Sequence, residues 1–96
     1  MNANNIIRQA ADIYGVHLDL LLSPLRAREV ADCRTVICYI LVKRCGLSYS
    51  ETGRILGRRH SDVMYHVAKA KDWLHTPILN PRGSEAIKTM LTKKPP

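Results

Sequence analysis

Apolar residues recur along this chain at spacings of three and four, and nowhere alternate over a strand's length. Ile6, Ala10 and Ile13 share one face of a helix over residues 5–14, with Gly15 as its terminator. A short apolar turn, LDLLL at residues 18–22, is stopped by Ser23-Pro24. The charged stretch LRAREVADCR then leads into a third helix. Between residues 33 and 42 only Arg34 and Thr35 are clearly polar, so other helices must cover most of its circumference. Lys43 and Arg44 suit its C-terminal dipole, and Gly46 the position just past its end.

SYSE opens a fourth, short helix as a capping box. Ser48 is expected to accept from the Glu51 amide while Glu51 reaches back to the Ser48 amide, and Gly57 ends the helix. A fifth helix runs over residues 60–75 and stops before Pro77. Its core stripe is Val63, Val67, Ala70 and Leu74; Ser61, Tyr65 and Lys69 form the polar stripe opposite. Trp73, at the end of the apolar face, reads as core rather than as a platform for base stacking. The last helix starts at Asn80-Pro81, a cap followed by a first-turn proline, and is expected to bury Ile87, Met90 and Leu91. The final KKPP reads as a tail. The pattern predicts one all-α domain over residues 1–96, with about six helices.

A chain of 96 residues supports a single modest core, and 46% hydrophobic residues exclude disorder of the chain as a whole. Fifteen Lys and Arg against eight Asp and Glu give a net charge of +7, which favours a polyanion as partner. The opening residues lack the apolar core of a signal peptide, and the longest apolar run, residues 36–42, is too short to span a bilayer. A membrane partner is therefore not expected. Cys33, Cys38 and Cys45 match no zinc spacing and read as reduced core thiols of a cytoplasmic protein. His17, His66 and His75 have no partners at metal or catalytic spacing and read as structural or surface residues. No paired carboxylates, activated nucleophile or phosphate-cradling glycine loop is recognisable, so neither catalysis nor a metal or cofactor is expected.

The fourth and fifth helices are separated by a few residues around Gly57, with Gly53 four positions before it and Val63 six after. A helix-turn-helix needs this arrangement: a small residue for close approach, a glycine for the left-handed turn, and an apolar residue to lock the pair. The second helix begins with RRHS. Cations at a helix start are unfavourable by ~0.3–1 kcal/mol each unless an anion answers them, and a phosphate would do so. The alternatives are a solvated pair for Arg58 and Arg59, and a polar turn or cap residue for His60.

GRRHSDV followed by helix resembles the signature G-G-R-D-H-T-T-V of the C-terminal, box-recognition DNA-binding domain of the bacterial replication initiator DnaA, a Trp-repressor-like helix-turn-helix. SYSETG is similar to the short helix that family places before its signature. RAREVADCRT is similar to its basic loop, R-S-R-S-V-A-R-P-R-Q, and AADIYGVHLDLLLS to its opening helix and turn. The likeness covers roughly residues 5–75. It implies about six helices around a helix-turn-helix whose recognition helix enters the major groove, while a basic-loop arginine reaches into the adjacent minor groove. By that resemblance Arg28 takes the minor-groove position and Arg34 a basic-loop contact. His60 is the signature histidine, Ser61 stands for its first threonine, and Lys69 matches a lysine further along the helix. Arg28 could otherwise pair with Glu29 or Asp32.

The chain departs from that family at Arg59, where the signature has aspartate, and at Asp62, where it has a second threonine. Pro24 and Leu25 replace basic residues of the loop, and Asp32-Cys33 replaces Arg-Pro. No G-x-x-x-x-G-K-[ST] occurs, so ATP is not an expected ligand. The expected function is sequence-specific binding of double-stranded DNA by a stand-alone domain associated with replication or its regulation. Arg26, Arg34, Arg58 and Lys69 are the expected phosphate contacts. Arg59, His60 and Ser61 are expected at base edges, and Arg28 in the minor groove. The other reading is a protein-interaction module that kept the scaffold and lost its DNA site, which Asp62 and the depleted loop favour. RNA binding is a third, but a helix-turn-helix suits the wide major groove of B-form duplex.

Overall fold

The computed structural model describes residues 2–92, and every regular element among them is helical; the KKPP end lies outside the described residues. Helix α1 (Ala3–Tyr14) starts where the Asn2 side chain accepts from the Asn4 amide at 2.8 Å and stops at left-handed Gly15. It buries Ile6, Ala10, Ala11 and Tyr14, with Ile13 at the edge of that face. The LDLLL turn is a five-residue helix, α2 (Leu18–Leu22), closed at Ser23.

Helix α3 (Arg28–Lys43) is the centre of the molecule. Nine of its residues are buried, and α1, α2 and the three later helices all pack against it. Ile37, Ile40 and Leu41 are each 0% exposed, a burial that contributes about 1.5–3 kcal/mol per side chain. Beyond its end, the chain turns back through left-handed Gly46 as the Leu47 amide reaches the Leu41 carbonyl at 3.0 Å. Cys33 and Cys38 are buried thiols pushed up to about 12 by burial, and Cys45 is half-buried.

Helix α4 (Tyr49–Leu56) opens with the expected capping box, both hydrogen bonds at 3.0 Å. Helix α5 (His60–His75) buries Val63, Val67, Ala70 and Trp73, and half-buries Leu74. A single 3₁₀ turn, Pro77–Leu79, which the apolar spacing did not announce, joins it to α6 (Pro81–Thr92). Asn80 caps α6 by accepting from the Gly83 amide at 2.8 Å and donates to Asp32 of α3 at 3.1 Å. A β-carbon at Gly83 would sit 2.5 Å from the Trp73 ring, so α6 can cross Trp73 this closely only at glycine. Ile87 and Met90 are buried as expected. Leu91 is not: at 38% exposure it lies beyond the face that Gly83, Ala86, Ile87 and Met90 press onto α3 and α5.

Candidate nucleic-acid interface

The α4–α5 turn is set by its backbone. Gly57 adopts φ +65°, and the Arg58 amide donates to the Gly53 carbonyl at 2.8 Å. A β-carbon on Gly53 would lie 2.5 Å from the Arg58 carbonyl oxygen, so the two helices approach here as closely as backbone allows. Arg59 occupies the cap position of α5, and no side chain caps the first amides. The positive end of α5 is thus open, and Arg59, His60 and Ser61 at it are exposed to solvent.

The loop between α2 and α3 is held differently, from inside by Arg34. This side chain is 3% exposed, on the same stripe of α3 as Val30, Ile37 and Leu41. It donates through Nε to the Leu21 carbonyl at 3.0 Å and through Nη1 to that of Leu25 at 2.6 Å. Nη2 serves the Leu20 and Ser23 carbonyls at 2.8 and 2.6 Å. Expected as a phosphate contact, Arg34 is instead committed to four carbonyls of its own chain, because its place on the buried stripe of α3 brings its donors under the loop and leaves it only 3% exposed. A lone arginine on an apolar stripe was the available signal. Arg26 of the loop and Arg28 at the start of α3 are exposed, and Arg28 makes no ion pair with Glu29 or Asp32.

Between this loop and α5 runs a groove of about 460 Å³. It gathers Arg26 and Arg34 from one side with Arg58 and Lys69 from the other, four cations from four segments of sequence. Arg28, Arg59, His60 and Ser61 do not line the groove and are exposed. Asp62, Tyr65 and His66 complete the α5 wall, and of these only Asp62 was singled out as bearing on binding. Their signal was register: 62, 65, 66 and 69 fall on one face of a helix.

Lys69 is steered by two rings, its Nζ lying 5.7 Å from the Tyr65 centroid and 5.8 Å from that of Trp73. Tyr65 is itself 62% exposed. His66 Nδ1 lies 2.7 Å from the Thr35 hydroxyl, which joins α5 to α3 beneath the groove. Burial, and then the positive charge of Lys69 and Arg34, lowers His66 to about 4, so it is neutral at physiological pH. Asp62, in the first turn of α5, makes no ion pair among the described residues. The wall is therefore cationic with one carboxylate in it. Such a surface can grip a phosphodiester strand. The described residues hold no cluster of three or more His, Cys, Asp or Glu placed to bind a metal, and none of their helices is long and apolar enough to cross a membrane.

Residues 3–70 match the sequence profile of the family described as the bacterial DnaA protein helix-turn-helix. The chromosomal replication initiator protein DnaA of Deinococcus radiodurans is 37% identical over 65 residues, 68% of this chain and 14% of that protein. The protein of the same name from Ureaplasma parvum is 28% identical over 67 residues, 69% of this chain and 15% of its own length. The chain thus spans only a small part of the relatives it matches.

Proposed function

This chain belongs to the bacterial DnaA helix-turn-helix family, and we propose that it binds double-stranded DNA in a sequence-specific manner, in the initiation or regulation of replication. One observation carries the reading. The groove lies between a loop that bears the exposed Arg26 and leads into the exposed Arg28 at the start of α3, and the open N-terminal end of a helix with two exposed polar side chains and an arginine. In a B-form duplex a single sugar–phosphate strand separates the minor groove from the adjacent major groove. If the loop enters one and α5 the other, that strand must run through the groove described here.

In this arrangement Arg59, His60 and Ser61 face base edges in the major groove. Arginine there donates to guanine O6 and N7, where the family's aspartate would accept from cytosine N4. Arg28 enters the minor groove, while Arg26 and Lys69 hold phosphates. With Arg34 committed internally, Arg26 and Lys69 are the two phosphate contacts of the groove. Log affinity should then fall against log salt with a slope of about −1.8, from ~0.9 per phosphate.

Selection from a random duplex library, followed by a salt titration on the enriched site, tests this directly. No enriched motif, or binding indifferent to salt, would turn the reading toward a protein-interaction module. The carboxylate of Asp62 on the groove wall is the observation that favours that second reading.

A further inference from the structure

Arg58 sits in the α4–α5 turn, yet its guanidinium does not face outward from it. Nη2 donates to the carbonyl of Ser23, the residue that closes α2. The same oxygen accepts from Arg34 Nη2 at 2.6 Å. Ser23 is also where the loop fastens to itself, its Oγ donating to the Leu20 carbonyl at 2.7 Å and accepting from the Leu25 amide at 3.2 Å. One residue of the loop is thus gripped by an arginine from the core helix and by another from the helix-turn-helix. The charge of Arg58 before α5 has a partner within the chain: the negative end of the Ser23 carbonyl, where α2 closes.

We propose that Arg58 is a positioning residue, a latch that sets the spacing between the loop that bears Arg26 and leads into Arg28 and the open end of α5, and not a phosphate contact. The inference rests on the DNA-binding reading above. A protein that addresses two grooves of one duplex needs both of its elements in register before contact. A loop free to wander lowers the fraction of molecules competent to bind with both, and the apparent affinity falls by that fraction. The loss falls on the minor-groove side of the site, because α5 and its turn keep their backbone geometry without the latch. A phosphate contact behaves otherwise: its removal weakens every sequence alike and flattens the salt dependence.

Arg58→Gln separates the two roles. In the free variant, amide exchange at Leu25 and Ser23 is expected to accelerate on the order of tenfold, the lower end for a lost hydrogen bond to a charged group. On the duplex selected from the random library, the preference for the loop-side flank, roughly tenfold per base pair in the intact protein, falls toward unity. The salt slope stays that of the unsubstituted chain. Arg26→Gln serves as the contrast and flattens the slope by about 0.9. If Arg58→Gln melts too low for binding to be read, Arg58→Lys keeps the charge but not the planar fork, and the same faster exchange at unchanged salt slope is expected. Unchanged loop exchange overturns the proposal, as does a slope flatter by about 0.9 with flank preference intact. Should neither protein bind duplex DNA, the functional reading fails, while the exchange measurement still decides whether Arg58 holds the loop.

Discussion

The loop between α2 and α3 and the turn between α4 and α5 each present exposed basic side chains beside one drawn inward. In the loop region Arg26 and Arg28 point to solvent and Arg34 is buried; in the turn Arg59 and His60 are exposed and Arg58 is half-buried. Their means of support differ. The turn is built by backbone, with a capping box before it, left-handed Gly57 within it, and the Arg58 amide on the Gly53 carbonyl. The loop has only the local bonds of Ser23 and is otherwise held by guanidinium groups brought from elsewhere: Arg34 serves four carbonyls of α2 and the loop, and Arg58 shares one of them. A helix-turn-helix can therefore keep its shape through many changes of side chain, whereas this loop depends on two arginines, Arg34 most of all.

The largest expected effect follows from that dependence. Arg34→Met keeps the apolar stem and removes the donors, leaving carbonyls of α2 and the loop to find water or remain unpaired. A loss of about 2–3 kcal/mol is expected by chemical denaturation, together with faster proteolysis or exchange in residues 20–27. A loss below about 0.5 kcal/mol, the range of an ordinary surface change, would mean that the loop supports itself and that the contrast with the turn is false.

Gly53→Ala probes the other side of the comparison. Alanine favours helix over glycine by about 1 kcal/mol, but its β-carbon would lie 2.5 Å from the Arg58 carbonyl, against backbone with no easy retreat. Overpacking of this kind costs about 1–3 kcal/mol, so a net loss of up to about 2 kcal/mol is expected. A more stable protein would show that α4 and α5 can separate at the turn without cost.

The same contrast explains what could be read from sequence. Gly15, Gly57, the Ser48–Glu51 box and the Asn80-Pro81 start are local signals, and the helix ends fall where they stand. Val63, Val67 and Ala70 face the core because periodicity depends only on the helix that carries it. Arg34 was read as a phosphate contact because its acceptors lie nine to fourteen residues away, brought in by the fold of a loop without periodicity. Its position among apolar neighbours on α3 is the local sign of its burial, and likeness to the family's basic loop points the other way. Leu91 differs for a related reason: which residues of α6 are covered is decided by the helices it packs on, chiefly α3 and α5, and not by the spacing of its own apolar residues. Tyr65 and His66 joined the groove wall only once the loop stood opposite them.

Loop side and turn side meet again beneath the groove, where Thr35 of α3 and His66 of α5 are hydrogen-bonded. Burial holds His66 at about 4, below its ordinary 6.5. As pH falls through that window the unfolded chain takes up a proton that the folded one refuses, so stability is lost from about 6.5 downward and the loss levels off below about 4. Because one edge of the ring meets the groove, the shift is discounted for screening, and about 1 kcal/mol is expected across the window. Denaturation midpoints followed between about pH 7 and about pH 4 should fall less steeply in His66→Gln than in the unsubstituted chain. Parallel curves would assign the pH dependence to other groups.

The smallest effect concerns Asp62, the one carboxylate on the groove wall. In the first turn of α5 it answers the open, uncapped positive end of the helix, worth ~0.3–1 kcal/mol to the fold. A phosphate strand in the groove would meet that same charge as a repulsion. Folding and binding thus make opposite demands on one residue, while Arg34 and Arg58 serve the fold and leave the strand to Arg26 and Lys69. Asp62→Thr supplies the neutral hydroxyl of the family signature. It should lower the melting temperature slightly and tighten binding to the selected duplex, with the gain largest at low salt, where an exposed carboxylate is least screened. Both quantities need to be measured on the same protein. If Asp62→Thr lowers stability and weakens binding together, then Asp62 takes part in recognition, by accepting from a cytosine or by orienting Arg58 or Arg59. The turn side of the groove would then read sequence with a carboxylate as well as with Arg59, His60 and Ser61.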